Sequence, residues 1–196
     1  ILFIVLLIVM RAMNAQDPSF SQFFSSPLNV NPALTARINS DWRVISNFRD
    51  QWIGPGSPYA TGTISYDTKV LQNKIPNVHE EKNTLGLGGM LMYDYAMDGI
   101  MKSVNASANM SYNMVLADGP NVHRLGVGFG ATYGRRTVDF SRLTWEEQWV
   151  GYAGFDKNLP TGEAALVNMK GFFSANAGLV YSITSEKSNF DIGAAG

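Results

Sequence analysis

The chain of 196 residues offers few groups that could do chemistry, having two histidines and no cysteine. Without cysteine there is neither a thiolate metal site nor a disulfide framework. His79-Glu80-Glu81 could supply metal ligands, but adjacent side chains of an extended segment diverge and no second histidine stands at ligand spacing. The other histidine, His123, also falls in an expected turn. Gly126-Val127-Gly128-Phe129-Gly130 mimics part of a phosphate-binding loop, yet its glycines alternate within a strand pattern and no helix follows. Their expected role is steric, letting a strand bend or leaving room for something inside it. Glu146 and Glu147 are neighbouring acids, and Trp145 and Trp149 flank them. That grouping suits a solvated or partner-binding surface better than an acid–base pair. Serines on the expected lumen face are too many to nominate one as a nucleophile without a nearby base. The sequence therefore predicts a protein that is not an enzyme, with no catalytic residue, no cofactor and no metal.

Whatever holds these residues is built from strands. Between Lys102 and Val115, Ser103, Asn105, Ser107, Asn109, Ser111 and Asn113 fall on one face and Val104, Ala106, Ala108, Met110, Tyr112 and Met114 on the other. Leu125 to Gly134 repeats the design with glycines and Thr132 opposing apolar residues, and residues 171 to 184 do so again. Weaker alternation runs over 41–49, 59–68 and 84–95, and another strand begins at Asn189. Asp-Gly turn chemistry lies within 96–100 and 117–122, and a long connector spans 137–169.

Strands of this length exceed the ~5–6 residues usual in soluble sheets and reach the ~9–11 that cross a bilayer. Composition agrees: 16% charged residues, 19 glycines and a net charge of −1. Soluble domains carry about a quarter charged residues, and nucleic-acid binders carry a basic footprint that is missing here. Uncharged polar residues opposite apolar ones, with aromatic rings near the strand ends, describe a transmembrane β-barrel. If the first strand rises from the periplasm, Trp52, Tyr93 and Tyr133 fall near the outer end and Trp42, Tyr66, Tyr112 and Tyr181 near the inner one, as two girdles should. The connector holding Trp145 and Trp149 is then on the outside.

The ends divide the chain further. Ile1–Met10 is an unbroken apolar run too short to span a membrane, and with the exit at Asn14-Ala15 it reads as a signal peptide over 1–15. Residues 16–39 hold Phe20, Phe23, Phe24, Pro27 and Pro32, too interrupted for a strand and too aromatic to hang free. They are expected to pack as an irregular segment in or under the barrel. Residues 40–196 are the strand region, which the alternation carries to the last residue, so the sequence reads as cut in mid-strand.

Three blocks carry a resemblance: Asp17-Pro18-Ser19-Phe20-Ser21-Gln22-Phe23, then Asn31-Pro32-Ala33, then Asn47-Phe48-Arg49-Asp50-Gln51-Trp52. In this order they resemble the opening of the PorP/SprF family of outer-membrane proteins of the Bacteroidetes type IX secretion system. Tyr93 with Asp98-Gly99, Leu143-Thr144 and Phe190-Asp191-Ile192-Gly193 extend the likeness, while Ala36 stands where the family pattern usually places glycine. The resemblance implies an all-β outer-membrane barrel of about fourteen strands, roughly the first half of which is present. It also implies a non-enzymatic role in export or surface attachment of cargo proteins with type IX C-terminal signals, including gliding adhesins in some members. Other secretion components and outer-membrane lipid are the implied partners. A plugged porin or solute-uptake channel is the alternative that the residues themselves leave open.

Overall fold

The computed structural model describes residues 25–52, 54, 57–70, 83–163, 168–185 and 188–196. Seven strands form one antiparallel sheet in sequence order: β1 (Trp42–Gln51), β2 (Tyr59–Val70), β3 (Thr84–Ala96), β4 (Met101–Ala117), β5 (Asn121–Val138), β6 (Phe172–Ser185) and β7 (Asn189–Ala195). The sheet curls into a half-barrel. No helix among the described residues is long and apolar enough to cross a membrane. We call the end that carries the β3–β4 turn and the β5–β6 connector the upper end, and the other the lower end.

Alternation sets the two faces. On β4, Ser103, Asn109, Ser111 and Asn113 are buried on the concave side, while Val104 and Met110 are about half exposed on the convex side. The convex face continues through Phe48, Ile64, Leu91, Phe129 and Leu179, all more than half exposed. So many apolar side chains turned outward are costly in water and at rest in lipid. Trp52, Tyr93 and Tyr133 stand on this face toward the upper end and Trp42 and Tyr66 toward the lower end, all exposed. A bulge between Val115 and Ala117 accommodates Leu116 as β4 nears the lower turn.

The strands run longer than alternation of apolar residues indicates. β5 continues past Gly134 through Arg135 and Arg136, which pair with Val104 and Ser103, so the connector starts at Asp139 and not at 137. Backbone pairing here outlasts the apolar pattern because the upper ends of β4 and β5 reach beyond the stretch that needs a greasy face. The turn between β3 and β4 places Met97 and Asp98 at φ +54° and Gly99 at φ +79°. Such a run of left-handed residues fits the twist of a tight hairpin, and the glycine takes its place there without steric penalty.

Candidate functional site

Two irregular regions sit against this sheet, one in its concavity and one at its upper rim. The first is the segment from Ser25 to Arg37. Proline starts each of its two short turns, a helical one at Pro27–Val30 (α1) and a 3-10 one at Pro32–Leu34, since proline's fixed φ suits a first helical position. Asn31 caps the second turn, its Oδ1 accepting from Ala33 N at 2.8 Å. Leu28, Ala33, Thr35 and Ala36 are buried.

Strand side chains reach the backbone of this segment. Arg43 and Asp67 face each other across β1 and β2, with Nε–Oδ1 at 3.0 Å and Nη2–Oδ2 at 2.6 Å. Asp67 is fully buried, and its Oδ2 also accepts from Ala36 N at 2.7 Å. A two-point guanidinium–carboxylate pair with a third donor satisfies a carboxylate that could not otherwise sit dry. Ala36 adopts φ +54°, the left-handed geometry for which glycine is better suited. The glycine expected at this position by family pattern is thus replaced by alanine while the turn keeps the glycine shape, held by Asp67. Ser111 Oγ donates to Thr35 O at 2.6 Å, Asn31 Nδ2 reaches Leu179 O and Ala194 O at 3.2 and 3.3 Å, and Arg37 pairs with Asp191. Asn47 Nδ2 donates to Ser25 O at 3.0 Å. These bonds tie the segment to the first, second, fourth, sixth and seventh strands.

Glycine makes room for it. A methyl group on Gly128 would overlap Ala33 N and the Pro32 carbonyl carbon, and one on Gly178 would overlap the Asn31 amide. On Gly86 it would stand 2.7 Å from both Ala36 Cβ and Thr35 O. The steric role expected of Gly128 is the one it has. Gly130 and Gly134 serve differently, lying under Asn109 and Asn176 and under Asn105, so that asparagines fold flat along the wall.

The second region is the connector after Asp139. Its centre is Gln148, which is buried. Gln148 Oε1 accepts from Trp145 N at 3.2 Å, its Nε2 donates to Leu159 O at 3.0 Å, and its carbonyl accepts from Asp156 N at 2.8 Å. The chain then reverses through Gly151 and Gly154, both at positive φ, which brings Trp149 beside Phe155 with ring centroids 4.9 Å apart, edge to face. Tyr152 at the tip is wholly exposed, and Trp149 and Phe155 are about half exposed. The base is clasped to the β3–β4 turn: Arg142 donates to Asp98 O and Oδ2, both at 2.9 Å, and Asp139 N donates to Ile100 O at 2.8 Å. The Ser141 hydroxyl donates to Asp139 and holds its carboxyl below the ordinary value, with lesser help from the Ser141 amide and the Arg142 and Lys102 charges.

The four connector residues singled out by sequence differ in exposure. Trp149, Glu146 and Glu147 are exposed and Trp145 is half buried, with the Glu147 side chain lying against Gly162. The rings that accompany Trp149 are Phe155 and Tyr152. Phe20, Phe23 and Phe24 lie outside the described residues, as do His79, Glu80 and Glu81. Sequence reasoning missed Arg43, Asp67 and Gln148. The first two were findable, because they are equidistant in sequence from Pro55 of Gly54-Pro55-Gly56, so a hairpin folded about that proline sets them face to face. Gln148 three residues after Trp145 has the spacing of a side chain that reaches back to cap a short helix. No group of three or more potential metal ligands occurs among the described residues.

Compared with known proteins, the profile of the family described as type IX secretion system membrane protein PorP/SprF matches residues 12–195. No curated protein and no solved structure matches the chain.

Proposed function

Because the chain belongs to the PorP/SprF family of type IX secretion system membrane proteins, we propose that it is a non-enzymatic outer-membrane component that supports export or surface attachment of cargo proteins. The observation that carries this reading is the pairing of a filled wall with a presented loop. The concave wall is occupied by the chain's own segment, held at both ends of the sheet, which suits a scaffold better than a solute path. The upper loop holds Trp149, Phe155 and Tyr152 outward on a frame fixed from within, and rigid aromatic anchors carry much of the energy of protein contacts. Cargo and other secretion components are the partners that such a surface would take.

The test is retention in native outer membrane. A Trp149→Ala, Tyr152→Ala variant is expected to fold normally and to lose most of the co-purifying secretion components. If retention is unchanged and the intact protein conducts solute in planar bilayers, the channel reading replaces this one.

The same proposal extends to residues 16–24. The segment passes Asn47 at Ser25 and Arg43 at Leu34–Ala36, so from Ser25 onward it descends along β1. Phe20, Phe23 and Phe24 would then line the upper lumen. As the chain has no cysteine, a Phe23→Cys, Thr63→Cys pair should form a disulfide on mild oxidation, whereas cross-linking only between copies would refute the placement.

A further inference from the structure

The convex face is apolar along most of its height, with uncharged Ser46 and Thr68 among its polar residues, and carries lysine and arginine only toward its upper end. Of the outward-pointing residues on the seven strands, the lysine and arginine are Lys102 on β4 and Arg135 on β5. Both are exposed, and neither has a hydrogen bond or ion pair with another described residue. Register sets Lys102 opposite Thr137 and Val104 opposite Arg135, which makes Lys102 and Arg135 diagonal neighbours, a relation in which Cα atoms lie about 7–8 Å apart. Tyr95 stands opposite Lys102 on β3, and the rings of Tyr133 and Phe173, tilted against each other with centroids 4.9 Å apart, lie just below Arg135. Aromatic rings at the end of a barrel's apolar band mark the level where hydrocarbon gives way to headgroups.

The carboxylates nearby are largely engaged. Asp139 takes the Ser141 hydroxyl, though it also feels the Lys102 charge and lines the cavity beside that lysine; Asp98 takes Arg142, and Asp50, the acid on the convex face, is on β1, three strands from Lys102. A cavity of about 470 Å³ opens beside Lys102, lined also by Gly99, Thr137 and Arg142. An unpaired guanidinium with a lysine beside it suits a phosphate, the arginine through its fork of donors and the lysine as a point charge. We propose that Lys102 and Arg135 hold the phosphate of a lipid headgroup in the leaflet that meets the upper ends of the strands. The proposal rests on the reading that the convex face meets lipid.

The experiment uses the full chain in nanodiscs of phosphatidylcholine doped with bis-phosphorylated lipid A or its dephosphorylated form, with retained lipid counted by native mass spectrometry. The phosphorylated lipid is expected to be retained preferentially. Lys102→Gln with Arg135→Gln should lower that retention about tenfold, Arg135→Lys should keep part of it, and inorganic phosphate at the same concentration should not displace the lipid. Equal retention of the two lipids, or full retention by the double variant, overturns the proposal, and so does complete displacement by inorganic phosphate. Failure of the protein to enter nanodiscs at all would instead remove the membrane reading on which it rests.

Discussion

The lumen segment and the upper loop are both irregular, both rich in turns and both short of backbone pairing, yet they are stabilised in opposite ways. The lumen segment is held from outside, by Asp67, Ser111 and the strand carbonyls that meet Asn31, and makes few bonds of its own beyond its turns. The upper loop is held from inside, by Gln148 and the Trp149–Phe155 reversal, and touches the barrel chiefly at its base. A region braced by the sheet shares the sheet's fate. A region braced by itself can change its exposed residues without consequence for the barrel, which is what a surface serving changeable partners requires.

This contrast breaks first at the cradle. Gly128→Val places its side chain where Ala33 and Pro32 already are, with backbone on both sides and no flexible side chain to yield. The expected cost is on the order of 3 kcal/mol or more, seen as loss of the heat-modifiable folded band, and Gly62→Ala on the convex face, with nothing nearer than 4.0 Å, is the silent control.

Next in size is the Arg43–Asp67 pair. Asp67→Asn keeps an acceptor for Ala36 N but leaves the Arg43 guanidinium without its counter-charge. Because the Arg43 side chain is 24% exposed, water offsets part of the loss. We expect about 2–3 kcal/mol by denaturant titration, somewhat below the usual figure for a fully buried pair. Exchanging the two residues should recover little, since arginine at 67 cannot accept from Ala36 N. Full recovery by the exchange would mean that the pair, and not the bond to the lumen segment, is what matters.

The smallest effect on the barrel belongs to the loop. Gln148→Ala removes two hydrogen bonds from a buried position and should cost about 1–2 kcal/mol of local stability. The barrel's melting should not move, while limited proteolysis within the loop should quicken severalfold. A global loss of stability would show that the two regions are not independent.

Much of this architecture is legible in the residues. Ser103 through Asn113 announce a two-faced strand because nothing but period-2 alternation places six polar residues on one side. Gly128 announces a space to be filled. What fills it is less visible, because Asn31 of the segment meets a strand carbonyl and Ser111 of the wall meets the Thr35 carbonyl of the segment, and a carbonyl leaves no mark on sequence. Arg135 and Arg136 disguise the end of β5 as loop, since charge signals solvent whether or not the backbone is paired. In the connector, Trp145 and Trp149 look alike in sequence and differ in exposure, a distinction set by the reversal at Gly151 and Gly154 that brings Phe155 to Trp149.

The order of the lumen segment's bonds along the chain has a consequence for how the protein assembles. Its bonds to Asn47, Asp67 and Ser111 close loops of 22, 31 and 76 residues, whereas Asn31 meets Leu179 and Ala194 across 148 and 163. Short loops cost less entropy to close and form earlier. On loop-closure cost the segment is expected to seat on the first hairpin before it meets the last strands, so that later strands would be added to a concave surface already occupied. The seated segment acts as a mould that sets the radius to which the sheet curls.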